Sequence, residues 1–131
     1  MATTSNPYGL RPLNRVGGTA YAGATTQLPI ASAYATDIFY GDIVAVVAGG
    51  TIEKMGAVGT NAAPFTAGTI GVFMGCSYTD ATQGFIQRQY WPASTVASDA
   101  QAYIVDDPSV RFQIQADGQV PQTDLHQNMA I

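Results

Sequence analysis

DIVAVVAGGTIEKM, residues 42–55, decides how the chain is read. Its first half is a β-branched run, its centre is Gly49-Gly50, where both positions can take positive φ, and its second half alternates apolar with polar side chains. That pattern predicts a β-hairpin. Downstream, TIGVFMGCSY (69–78) is a second apolar run and predicts a strand, with Gly71 and Gly75 marking bulges or a close backbone approach. TDATQG (79–84) has turn composition, and FIQRQYW (85–91) resumes as a strand that Pro92 ends, giving a second hairpin. QAYIV (101–105) and VRFQI (110–114) are expected to pair around the turn DDPS (106–109), and Asp117-Gly118 signals a further turn. Between the first hairpin and the second lies GAVGTNAAPFTAG (56–68), uncharged and glycine-rich, the composition of a long loop.

Short strands with turn signals between them and no internal repeat predict an all-β fold, a small β-barrel or β-tulip-like body. Upstream of Leu28 the pattern is lost. Residues 1–27 hold four of the fourteen glycines and two of the seven prolines, and read as an extended N-terminal arm. Its apolar members Tyr8, Leu10, Leu13, Val16 and Tyr21 are spaced as anchors for a groove or sheet edge rather than as a core face. The body is then 28–120, and 121–131 a C-terminal segment in which DLHQNM (124–129), with Thr123 as N-cap, is the one candidate helix. The apolar end, Met129-Ala130-Ile131, either docks on the body or continues in a longer product.

At 131 residues the chain is one domain in size, and only 11% of it is charged, against roughly 25% in an average soluble domain. Such a charge-poor surface suits a subunit of an assembly. The five basic residues, Arg11, Arg15, Lys54, Arg88 and Arg111, are scattered among nine carboxylates, which argues against nucleic acid as a direct ligand. Residues 1–36 contain two arginines and no acid, so a basic front precedes an acidic body. The longest apolar run, residues 43–48, is far short of a membrane helix, and MATTSNPYG lacks the marks of a signal peptide, so no membrane partner is expected. A single cysteine, Cys76, allows no internal disulfide and fits folding in a cytoplasm.

The chemistry-bearing residues are sparse. One histidine, His126, and one cysteine supply neither a hydrolytic triad nor a zinc set, and no cofactor or metal is expected. Cys76, inside an apolar strand without cations, reads as a small buried residue. Asp106-Asp107 lacks the DxDxDG calcium pattern and reads as a turn, and the glycine-rich stretches lack a phosphate-loop ending. The chain is therefore expected not to be an enzyme. Tyr78, Phe85, Tyr90 and Trp91 form the densest aromatic group. Core packing is the first reading, with interface anchors or a sugar-stacking platform, aided by Gln83, Gln87 and Gln89, as the alternatives.

The order of parts, a basic arm, then GDIVAVVAGGTIEKM (41–55), a loop, TIGVFMGCSY (69–78) and QYWPASTVASDAQAYIV (89–105), resembles lambda-type head decoration (cement) proteins of tailed bacteriophages over about residues 38–105. NPYGLRPLNRVGG (6–18) resembles the starts of structural proteins of marine phages. The chain departs from that layout in the loop 61–68 and after Asp117. The resemblance implies a virion protein on the capsid surface, folded in the host cytoplasm. Its partners would be the major capsid protein and itself, as a trimer or dimer. The capsid-binding arm residues would be Tyr8, Leu10, Arg11, Pro12, Leu13 and Arg15, apolar side chains filling pockets and arginines pairing with carboxylates. A phage tail subunit and a carbohydrate-binding, receptor-binding β-module remain the alternatives.

Overall fold

A computed structural model describes residues 8–55, 69–116 and 118–127. They form strands β1 (Arg11–Arg15), β2 (Thr26–Pro29), β3 (Ile43–Val46), β4 (Ile52–Lys54), β5 (Thr69–Asp80), β6 (Gly84–Arg88), β7 (Gln101–Val105) and β8 (Val110–Gln113), with one 3₁₀ turn at Gln122–Asp124. The fold is all-β. Every strand pair is antiparallel, in a six-stranded sheet ordered β2-β7-β5-β3-β4 with β6 also on β5, and a separate ribbon of β1 and β8.

β5 is the spine. One of its edges carries β7, from Val72↔Val105 to Ser77↔Gln101, and the other carries β3 at its start and β6 at its end. Both expected hairpins form: β3 and β4 join through a turn in which Gly50 has φ 79° and donates to the Val47 carbonyl at 2.9 Å, and β5 and β6 join at Asp80↔Gly84. The sheet pairings shift register beside both predicted glycines, between Val44 and Ala45 opposite Gly71, and between Phe73 and Gly75 opposite β7. Each bulge bends and twists β5 so that the sheet curls around its core.

The curl does not complete a barrel. The edge strands approach at a single parallel bridge, Ile30↔Ile52, so the expected barrel stays open. Inside the curl lie Ile30, Ile38, Val44, Ile52, Phe73, Cys76, Tyr78, Trp91, Ala97, Ala100, Ala102 and Ile104. The segments 30–42 and 89–100 cover it, joined by the reciprocal Ile38 and Trp91 backbone bonds of 3.1 and 2.7 Å.

Three local expectations are corrected. β7 and β8 do not pair with each other: β7 runs between β2 and β5, while β8 leaves the sheet and takes β1 as its partner. The turn is the reason, since Asp107 accepts from the Ser109 amide and hydroxyl at 2.9 and 2.6 Å and holds a bend at Pro108 that directs the chain away. Residues 11–15, read as part of an irregular arm, form a strand on β8, and residues 26–29, which straddle the expected arm–body boundary at 27/28, form a strand on β7. At the C-terminus the helical turn is the 3₁₀ turn Gln122–Asp124 preceded by Pro121, earlier than the predicted 124–129, and residues 128–131 lie outside the described ones, as does the loop reading for 56–68.

Candidate functional site

The ribbon is the most distinct surface feature. It is anchored at its base, where Gly9 and Gly41 cross so closely that a Cβ on either would lie 2.7 Å from the other's backbone, and where the Leu10 amide donates to the Gly41 carbonyl at 3.0 Å. Leu10, just before β1, and Val110, opposite Arg15 at the other end of the pair, are buried apart from the main cluster, as are Val72 and Val105 of the sheet. Between these two ends β1 and β8 lie along each other and hardly approach the other strands. At the far end Gly17 and Gly18, with φ of 95° and 84°, turn the chain, and the Val16 amide donates to the Ser109 carbonyl at 2.7 Å.

The ribbon concentrates positive charge. Arg11, Arg15 and Arg111, three of the five basic residues, lie on it with no acidic residue in either strand. Arg11 faces Gln113 across the pair, so it shares a face with Arg111 by the two-residue alternation of β8. The Arg11 guanidinium rests 3.9 Å over the Tyr8 ring. Arg15 is engaged within the chain at the surface: it pairs with Asp107 at 2.9 Å and donates from Nε to Ser109 Oγ at 3.2 Å. The Ser109 hydroxyl and amide hold the Asp107 carboxyl below the usual carboxylate range, and Arg15 adds to the effect. At the register shift between Pro12 and Asn14 Leu13 is 56% exposed, and Val16, just after β1, is 61% exposed.

The six expected arm residues therefore separate. Tyr8, Arg11 and Leu13 are available to a partner. Leu10 is buried, Pro12 is half-buried opposite Phe112, and Arg15 is engaged within the chain. Arg111 joins the surface unannounced, because its neighbour strand lies about a hundred residues away in sequence. The only local signal was the alternation of VRFQ, which puts Arg111 and Gln113 on one side.

The aromatic group also divides. Tyr78 and Trp91 are core, meeting edge-to-face at 5.5 Å, with the indole N–H donating to the Tyr34 carbonyl at 3.4 Å. Phe85 and Tyr90 are on the surface. Tyr90 stacks with Phe39 at 6.0 Å, a pair that sequence reading missed because the two residues come from different covering segments. A sugar platform built from Tyr78, Tyr90 and Trp91 together is thus not formed. Cys76 is fully buried, its thiol is pushed up to about 11 by burial against a weaker opposing effect of Arg88, and Sγ donates to the Tyr90 carbonyl at 3.3 Å. Asp106 accepts from Thr26 Oγ1 at 3.0 Å, and with Asp107 capping its turn the acidic pair serves loop structure. Among the described residues no three potential metal ligands come together. The chain matches no family model, no curated protein and no solved structure.

Proposed function

We propose that this chain is a non-enzymatic structural virion protein, a decoration or cement protein that binds the outside of a major capsid protein lattice and stabilises the head. The observation that carries the reading is the separation of charge: a ribbon with exposed Arg11, Arg111 and Leu13 has no carboxylate in either strand, and the carboxylates lie in the rest of the chain. Cations flanking exposed apolar side chains suit a partner surface with carboxylates around shallow apolar pockets. The resemblance of the order of parts to that of lambda-type decoration proteins points to the same partner.

In this mechanism the ribbon docks as a preformed two-stranded sheet, so less ordering entropy is lost than with a flexible arm. Tyr8, Arg11, Leu13, Val16 and Arg111 make the contact, while Leu10 and Arg15 hold the ribbon to the body. Many copies on a lattice, linked as dimers or trimers, hold through weak individual contacts acting at high effective concentration.

The test is co-sedimentation of the purified protein with expanded capsids that lack it. Saturable binding in a fixed ratio per capsomer is expected, and Arg11→Glu with Arg111→Glu should abolish it while the protein remains folded by circular dichroism. Binding that survives the double charge reversal would remove the ribbon from the mechanism, and no binding of wild type would remove the capsid reading.

A further inference from the structure

The outward face of the large sheet differs from the ribbon in chemistry and is a second candidate surface. Register places Pro29, Gln101, Ser77 and Gln87 in one row across β2, β7, β5 and β6, with Gln27, Tyr103 and Gly75 in the next row and Thr79 opposite Phe85 in a third. At one end of this face Val72 and Val105 are buried. No charged residue stands in these rows. The nearest carboxylate, Asp99, is occupied at the rim by the Thr79 amide and hydroxyl at 3.0 and 2.6 Å.

Tyr103 is pinned at its hydroxyl. Its cross-strand neighbour is Gly75, which has no side chain, and its hydroxyl donates to Ser77 Oγ at 3.0 Å, two residues further along β5. A half-buried tyrosine pinned by its hydroxyl beside a strand glycine has no neighbouring side chain at that cross-strand position. Around it the carboxamides of Gln27, Gln87 and Gln101 have no protein hydrogen-bond partner among the described residues, and Phe85, 66% exposed, closes the outer corner.

We infer that this face binds a neutral glycan chain. A fixed aromatic face takes the C–H side of a pyranose ring, and free carboxamides, each both donor and acceptor, match the hydroxyl groups at its edge. Absence of charge in the rows selects a neutral sugar over an acidic one, because a carboxylate or sulfate would find no cation here. Gln101 on β7 and Gln87 on β6 flank Ser77 on β5, two strand spacings or about 9.6 Å apart, close to the length of two sugar rings, so an extended oligosaccharide can run across β7, β5 and β6. The inference is independent of capsid binding, which uses the ribbon.

The test is a titration of the ¹⁵N-labelled full chain with neutral hexasaccharides of glucose (β-1,4 and α-1,4), mannose, xylose and N-acetylglucosamine, read by amide chemical shifts. Saturable shifts from at least one of them, confined to β2, β7, β6 and the second half of β5, are expected. Tyr103→Ala should weaken that binding about tenfold, the scale of losing an aromatic anchor. Should that variant misfold, Gln87→Ala and Gln101→Ala, which alter only exposed or half-exposed amides, should each weaken it severalfold. No saturable shift with any of the five sugars overturns the inference. So does binding indifferent to all three substitutions, or a face found closed by self-association in analytical ultracentrifugation.

Discussion

At Gly71 an added methyl would lie 2.2 Å from the Val105 carbonyl oxygen, and both atoms belong to paired backbone that cannot yield without opening the ladder. Gly71→Ala is therefore expected to lower stability by at least about 2 kcal/mol, the scale of overpacking in a closed site. Gly49 sits in the β3–β4 turn with nothing within 4 Å of its would-be Cβ, and Gly49→Ala should stay within about 0.5 kcal/mol of wild type. Urea unfolding of the pair measures the contrast. The Cys76 thiol, buried and pushed up to about 11, should not react with a thiol reagent at neutral pH until the protein is denatured, and should then react fully. Here sequence reading sufficed, because a small side chain in a strand of apolar neighbours has few ways to be exposed.

Elements differ in how tightly they are held. Trp91 is the only tryptophan, is fully buried, and ties the 89–100 segment to the 30–42 segment through Ile38 and Tyr34. Trp91→Ala should cost about 3–5 kcal/mol, enough to unfold a domain of ordinary marginal stability. Wild-type emission should accordingly be blue-shifted and move red in one step on denaturation. The ribbon contrasts with this, because β1 and β8 depend mainly on one another. Its amides should exchange with solvent faster than those of β5 and β7 in native-state hydrogen exchange, and Arg15→Ala should speed exchange at Val16 while changing global stability by less than about 1 kcal/mol. Uniform protection across β1, β8 and β5 would contradict this order.

For the whole molecule, acid stability follows from where the carboxylates went. Asp80 is held below the usual range by the Thr82 and Gln83 amides, Asp99 by the Thr79 hydroxyl and amide, and Asp107 by Ser109 and then Arg15. A depressed folded value stabilises the native state above the unfolded carboxyl range, about 3.9, and that stabilisation is lost as pH falls through the folded values. The thermal midpoint should thus be level on the acid side down to about pH 5 and fall below about pH 4. Thr79→Val, which removes the Asp99 hydroxyl partner, should reduce the loss. At high pH the sign reverses: a thiol raised in the folded state favours folding below its unfolded value, about 8.5, and this is lost as pH rises toward 11. Cys76→Ala should flatten that alkaline limb.

Strand content, both hairpins and the bulges beside Gly71 and Gly75 were legible in the sequence, because two-residue alternation, glycine conformational freedom and proline's missing donor act over a few neighbouring residues. The separation of a basic front from an acidic body was legible as well. Tertiary structure alone decided that β8 takes β1 rather than β7, that Leu10 is buried and Arg15 paired with Asp107, and that of four similar aromatics two are core and two are surface. It also set Tyr103 opposite Gly75 with its hydroxyl on Ser77. The physical reason is range. Side-chain type prescribes that an apolar or hydrogen-bonding group must find a partner, but which partner depends on contacts between segments up to a hundred residues apart, and those exist only once the sheet has curled.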